Sequence, residues 1–340
     1  MDQALSNKIS NMGVVCAMLV VALHASMNAD VGTATWYVDR FVNDGLGRAA
    51  VPFFFMASGC FLAKHVGEPK WWSDAVRKRV KTLLVPHLFW NLLWILLPVV
   101  RAFFKGLSHG AISIPAVRWP SPADWWGVLQ PPPLGPTWYI TTLFGFVVLS
   151  PLFVRLVRRC APAAILSAAT LHVAFYRQDL ALWGTARWLT QSIFNLEGIV
   201  FFLAGLDVAL NKRKRPSRMQ ENGLIALAFV ATGVRMYAEA VHCPFLFDHV
   251  RLFVIPGFLV LLWRIVPSAR WPKWLVSSAF PLYLIHYFAI DTLHRAMCPH
   301  LSGLWLYGSK VGLAIVISIA IGIAMRRVFG RLSAFAFGGR

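Results

Sequence analysis

The chain has 340 residues, of which 58% are hydrophobic and only 14% charged, whereas soluble domains run near 45–50% and 25%. That balance excludes an ordinary soluble globular protein and implies a polytopic membrane protein. The net charge of +19 would suggest nucleic acid in a soluble chain, but most Lys and Arg fall in a few short loops, so the charge reads first as a topology signal and no nucleic-acid partner is expected.

Apolar stretches of roughly 20 residues, each long enough to span a bilayer, recur along the whole length. They predict an all-α fold of about ten transmembrane helices, at 11–29, 48–64, 82–104, 137–157, 161–177, 192–210, 223–242, 249–267, 274–293 and 304–326. The first run follows Lys8 and is short, as in a signal peptide. No convincing small-residue cleavage site follows it, and it is read as an uncleaved first helix.

The loops alternate in charge. One set carries Lys70, Arg77, Lys78, Arg79 and Lys81; then Arg155, Arg158 and Arg159; then Lys212, Arg213, Lys214, Arg215 and Arg218; then Arg264, Arg270 and Lys273; the tail adds Arg326, Arg327 and Arg331. The opposite set holds Asp30, Asp39, Asp44, Asp124, Asp179, Asp248 and Asp291 with few basic residues. By the positive-inside rule both termini are cytoplasmic. A single domain, 1–340, is expected, with one long external loop at about 105–136 that is rich in Pro and Trp: either a cap over an external substrate or a stiff interfacial connector.

The five cysteines, Cys16, Cys60, Cys160, Cys243 and Cys298, show no metal-ligand spacing, and no metal is expected. Cys16 and Cys60 lie in spans and read as packing residues. Cys243 and Cys298 fall on the outer side, where an oxidising compartment would permit a disulfide.

Ionisable residues inside a bilayer are costly and mark functional sites. Measured along the predicted helices at about 1.5 Å per residue, several share one depth in the outer half of the membrane. They are His24, Arg48, Glu197, Arg235, Arg251 and His286, with Trp138 and Tyr139 at the outer start of span four. Each has a plainer reading: a histidine bonding between helices, an arginine snorkelling to headgroups, an aromatic belt. On the inner face Arg77, Lys78, Arg79 and Lys81 precede span three, suited to a phosphate-rich ligand or to lipid headgroups.

The order of segments resembles the acyltransferase-3 family of integral membrane O-acyltransferases. The residues that carry the likeness are His24 late in the first span, GRAAVPFFFMASGCFLAK around Arg48, KRVKTLLVP before the third span, PTWYITTLFGFVVLSPL in the fourth, FFLAG in the sixth and FPLYLIH in the ninth. The resemblance implies a multi-pass protein of the bacterial inner membrane. Its activity would be transfer of an acyl group, usually acetyl, from cytoplasmic acyl-coenzyme A to a hydroxyl of a cell-envelope or lipid-linked carbohydrate, with glycan-pathway proteins as partners. The family histidine matches His24 and the family arginine Arg48. Many members also carry an Arg eleven positions before the histidine; here Gly13 stands there, so either Lys8, Arg48 or another helix supplies that charge or the handling of the donor is altered.

In this reading His24 is the general base and Glu197 the carboxylate that orients or stabilises its imidazole. Arg48 and Arg235 would stabilise the oxyanion, and His286 would relay a proton or hold the acceptor. Trp138 and Tyr139 would stack on a sugar, while Arg77, Lys78, Arg79 and Lys81 would hold the nucleotide phosphates. The alternatives from other classes are a proton-coupled carrier, for which paired interrupted helices would be expected, and a non-catalytic membrane sensor.

Overall fold

The computed structural model describes residues 3–27, 29–108, 134–175 and 195–339, and among them every regular element is helical. In chain order these are α1 (Gln3–His24), α2 (Ala34–Arg40), α3 (Ala50–Ala63), α4 (Trp71–Arg79), α5 (Val85–Ser108), α6 (Trp138–Val148), α7 (Ser150–Phe175) and α8 (Leu196–Leu210). There follow α9 (Arg218–Ala240), α10 (Pro244–His249), α11 (Arg251–Ile265), α12 (Lys273–Ser277), α13 (Ala279–Met297), α14 (Gly303–Phe329) and α15 (Ser333–Phe337).

Among the described residues six stretches are long and apolar enough to cross a membrane: Gln3–His24, Ala34–Ala63, Trp71–Leu97, Arg218–Ala240, Phe245–Ile265 and Gly303–Phe337. A seventh arises if the bent pair Gly135–Val148 and Ser150–Ala174 is one span. This is fewer than the ten expected, for local reasons. The described part of α8 has 15 residues, about 22 Å at the rise of an α-helix. α13 carries His286, Asp291, His294 and Arg295 along 19 residues.

Several boundaries move. α1 begins before 11 and ends at His24 rather than 29. The second helical stretch opens at Ala34, not 48, running through a π turn (Phe41–Gly45) and a 3-10 turn (Leu46–Ala49) into α3. The fourth expected span ends at Val148, and α7 is interrupted where Cys160 takes extended backbone (φ −162°, ψ 90°) two residues before Pro162. A proline ring clashes with the preceding turn and removes a helical donor, which explains the break. The loop expected at 105–136 is helical to Ser108, and its residues 109–133, with Asp124, lie outside the described residues, as do Asp179 and the junction of spans five and six at 176–194.

The chain divides into two compact units. The first comprises Met1–Glu68, Pro151–Gln178 and Leu196–Val328. α3 crosses α8 closely: Gly59 faces the Phe202 carbonyl and Gly205 the Met56 carbonyl at such short range that a Cβ on either glycine would collide with backbone. Small residues let membrane helices approach in this way. α1, α13 and α14 share an apolar cluster of Ala17, Val21, Ala25, Leu282, Ala289, Ile290, Tyr307 and Ala314. The Tyr307 hydroxyl donates to the Ala22 carbonyl at 3.2 Å, and the Asn11 amide donates to the Pro267 and Ala269 carbonyls at 2.9 and 2.8 Å.

The second unit comprises Pro69–Ser150, Asp179–Asn195 and Phe329–Arg340. Within it the Trp72 indole donates to the Val148 carbonyl at 3.0 Å and the Trp90 indole to the Ala336 carbonyl at 2.9 Å. A buried polar knot joins α5 to the start of α6. The Asn91 amide donates to the His87 carbonyl (2.9 Å) and to the Thr137 hydroxyl (3.0 Å), and its oxygen accepts from the Leu134 N–H (3.0 Å). Each buried polar group of Asn91 is thereby satisfied, as an apolar surround demands.

Candidate active site

His24 is the last residue of α1, and the chain leaves the helix there because a carboxylate captures the residues immediately after it. Asp39 accepts from the Ser26 hydroxyl at 3.0 Å, from the Met27 N–H at 3.2 Å and from the Asn43 amide at 2.8 Å. The first two of these bonds occupy donors just beyond the helix end and fix its exit. The His24 ring is half-buried and lies 5.2 Å from the His286 ring, centroid to centroid, at 37°, with Tyr287 edge-on at 6.2 Å.

His286 comes from the middle of α13 and is fully buried. Its Nδ1 lies 3.2 Å from the Leu282 carbonyl. A carbonyl oxygen only accepts, so Nδ1 carries the proton and Nε2 of the neutral ring is an acceptor. That Nε2 is buried without a hydrogen-bond partner among the described residues.

A charged cluster belongs to the same unit. Asp44 Oδ1 accepts from Arg48 Nη2 at 3.2 Å and from Arg235 Nη2 at 2.9 Å, so one carboxylate bridges two guanidiniums. Arg235 also donates to the Phe247 carbonyl and stacks on the Phe247 ring 4.0 Å from its centroid. Glu197 pairs with Arg251, whose Nε and Nη2 lie 2.7 and 3.0 Å from its two oxygens, and His172 Nε2 lies 3.9 Å from Glu197 Oε2. Arg48 is within electrostatic reach of Arg251, Asp44, Arg235 and Glu197, and His24 within reach of Arg48. The guanidiniums of Arg48, Arg235 and Arg251 are thus held in place by the carboxylates of Asp44 and Glu197, and fixed guanidinium donors of this kind can stabilise an anion or a developing oxyanion.

Of the residues singled out in the sequence, His24 and His286 come together, as do Arg48 and Arg235, with Arg251 and Glu197 close to Arg48. Glu197 is engaged by Arg251 and His172, while the ring neighbours of His24 are His286 and Tyr287. Two acids read as loop residues, Asp39 and Asp44, are instead buried in the helical stretch that opens at Ala34. The signal was present in spacing: Asp39 with Asn43, and Asp44 with Arg48, stand four apart, the interval that brings side chains together on a helix. His172, in the last turn of α7, was also missed, because its partner Glu197 is distant in sequence. Lys8, one candidate for the charge absent at Gly13, sits over the Trp263 ring at 5.0 Å.

The remaining basic and aromatic candidates belong to the second unit. Arg77, Lys78 and Arg79 close α4, and Lys81 lies in the π turn after it (Val80–Leu84). Trp138 and Tyr139 open α6, with Tyr139 buried and within electrostatic reach of Arg79. Cys243 and Cys298 are both free thiols. Among the described residues no three His, Cys, Asp or Glu side chains are grouped as metal ligands.

Comparison with curated proteins and with solved structures gives no match. The model of the acyltransferase-3 family, described as an acyltransferase domain, matches residues 9–324. That range runs from within α1 through most of α14, and takes in His24, His286 and every residue of the arginine–carboxylate cluster. A chain with several helices long and apolar enough to cross a membrane, matched by that model over nearly its whole length, belongs to the acyltransferase-3 family and is a membrane acyltransferase.

Proposed function

We propose that the protein transfers an acetyl group from cytoplasmic acetyl-coenzyme A to a hydroxyl of a cell-envelope or lipid-linked carbohydrate, in the inner membrane of a bacterium with both termini cytoplasmic. The observation that carries this reading is the His24 imidazole, half-buried at a helix end and within electrostatic reach of Arg48, inside a chain of the acyltransferase-3 family.

In the proposed reaction the acceptor hydroxyl gives its proton to His24 as its oxygen attacks the thioester carbonyl. The new C–O bond forms, the C–S bond breaks, and the proton passes from the imidazolium to the departing thiolate, so one ester and one thiol leave the site. Arg48 and Arg235, held by Asp44, supply positive charge to the oxyanion. Glu197 acts through Arg251, keeping that guanidinium in place and balancing its charge. Arg77, Lys78, Arg79 and Lys81 hold the donor's phosphates. Trp138 and Tyr139 stack on the sugar, and glycan-pathway proteins deliver the acceptor.

The test is release of free coenzyme A by purified protein supplied with acetyl-coenzyme A and a pool of envelope glycans, with His24→Ala beside wild type. Acceptor-dependent release that disappears in a monodisperse His24→Ala variant supports the reading. Equal release by both removes His24 as the base. Acceptor-stimulated transport without thiol release would replace the enzyme with a carrier.

A further inference from the structure

We infer that His286 is the positioning residue of the His24 base, filling with a neutral imidazole the place a carboxylate holds in a catalytic triad. The inference rests on the reading of His24 as general base and identifies what orients it. A base of this kind needs one ring nitrogen aimed at the substrate hydroxyl and the other N–H held by an acceptor.

Glu197 was the acceptor anticipated from depth along the helices, but it is paired with Arg251, whose Nη2 donates to Oε1 at 3.0 Å and whose Nε lies 2.7 Å from Oε2, while the ring neighbours of His24 are His286 and Tyr287. The ring beside His24 is His286, 5.2 Å between centroids. Its tautomer is set by the Leu282 carbonyl at Nδ1, which leaves Nε2 as a lone pair rather than a donor. That lone pair is buried and unpartnered among the described residues. An unpaired buried polar atom costs free energy that an apolar side chain would avoid, so it calls for a functional reason.

The surroundings fix the pair. Leu282, Ala289 and Ile290, about one turn before and after His286 on α13, share the apolar cluster with Ala17, Val21 and Ala25 of α1 and its exit. The two imidazoles therefore sit beside packed contacts on both helices, and in the inferred arrangement the His24 ring turns its N–H onto the His286 Nε2. Such a ring locks one His24 tautomer and aims the opposite nitrogen outward.

The test compares wild type, His286→Ala, His286→Gln and His24→Ala in detergent micelles. Gln places a carbonyl oxygen close to where Nε2 stands and so keeps an acceptor. Histidine-selective nitrogen-15 spectra, with the His24 signal identified by its loss in His24→Ala, should show one His24 tautomer in wild type and in His286→Gln, and a mixture in His286→Ala. In the coenzyme A release assay His286→Ala should lose about a hundredfold in kcat, the scale of a misaligned catalytic group. KM for acetyl-coenzyme A should stay within about twofold, and His286→Gln should recover about tenfold in kcat. An unchanged His24 tautomer in His286→Ala, or a folded His286→Gln no better than His286→Ala, overturns the inference. A fully active His24→Ala would remove the base itself, while the spectra would still decide whether His286 sets the His24 tautomer.

Discussion

One oxygen of Asp44 accepts from two arginines, and its side chain is almost fully buried with that of Arg235. In a low-dielectric interior the cost of such an ion pair is recovered only while both signs are present, and removing one partner strands the other. Asp44→Ala is expected to lower the unfolding free energy in micelles by about 3–5 kcal/mol, and Asp44→Asn, which keeps a hydrogen-bonding oxygen, by less. Denaturant unfolding followed by tryptophan fluorescence measures both, and an Asp44→Ala variant as stable as wild type would show that the bridge is not holding the arginines. Asp44 and Asp39 read as loop residues because a hydropathy window penalises the charged first half of the Ala34–Ala63 stretch. His24, His286, Arg48 and Arg235 were legible because a lone ionisable residue in an apolar run stands out wherever its partner lies. The partner of Glu197 was not legible, since Arg251 is 54 positions away and shared depth does not specify which side of a helix a group occupies.

Helix α3 crosses α8 backbone against backbone, and no side chain separates Gly59 and Gly205 from the opposing carbonyls. The colliding atoms are backbone, which cannot swing aside as a side-chain tip can. Gly205→Leu is therefore expected to destabilise at the upper end of the overpacking range, about 3 kcal/mol, with Gly233→Leu as a neutral reference because nothing lies within 4 Å of its Cβ position. A smaller loss at Gly205 than at Gly233 in thermal unfolding would contradict the close crossing. The glycines in MASGC and FFLAG were visible as small residues in apolar runs, but the close approach of their two helices, from segments far apart in the chain, was not. Helix existence was readable almost everywhere from hydropathy. Helix ends were less so, because the stop after His24 is imposed by Asp39 from another element and the break at Cys160 by the geometry before Pro162.

For the whole molecule the proposed topology places Cys160 on the cytoplasmic side and Cys298 on the opposite side, and both are exposed thiols. In single-cysteine variants within intact spheroplasts, a membrane-impermeant maleimide is expected to label Cys298 and to reach Cys160 only after lysis; the reverse pattern would invert the orientation. The composition determined by itself that the chain is a helical membrane protein, since apolar runs of bilayer length leave a backbone no other way to satisfy its hydrogen bonds in lipid. The order of its motifs pointed to the family that the match over residues 9–324 shows. Only the tertiary structure decided which ionisable groups meet: His24 with His286, Arg48 and Arg235 on Asp44, Arg251 on Glu197. Hydropathy is a property of each segment alone, whereas a hydrogen bond between helices depends on rotation and crossing, which are set by packing against neighbours.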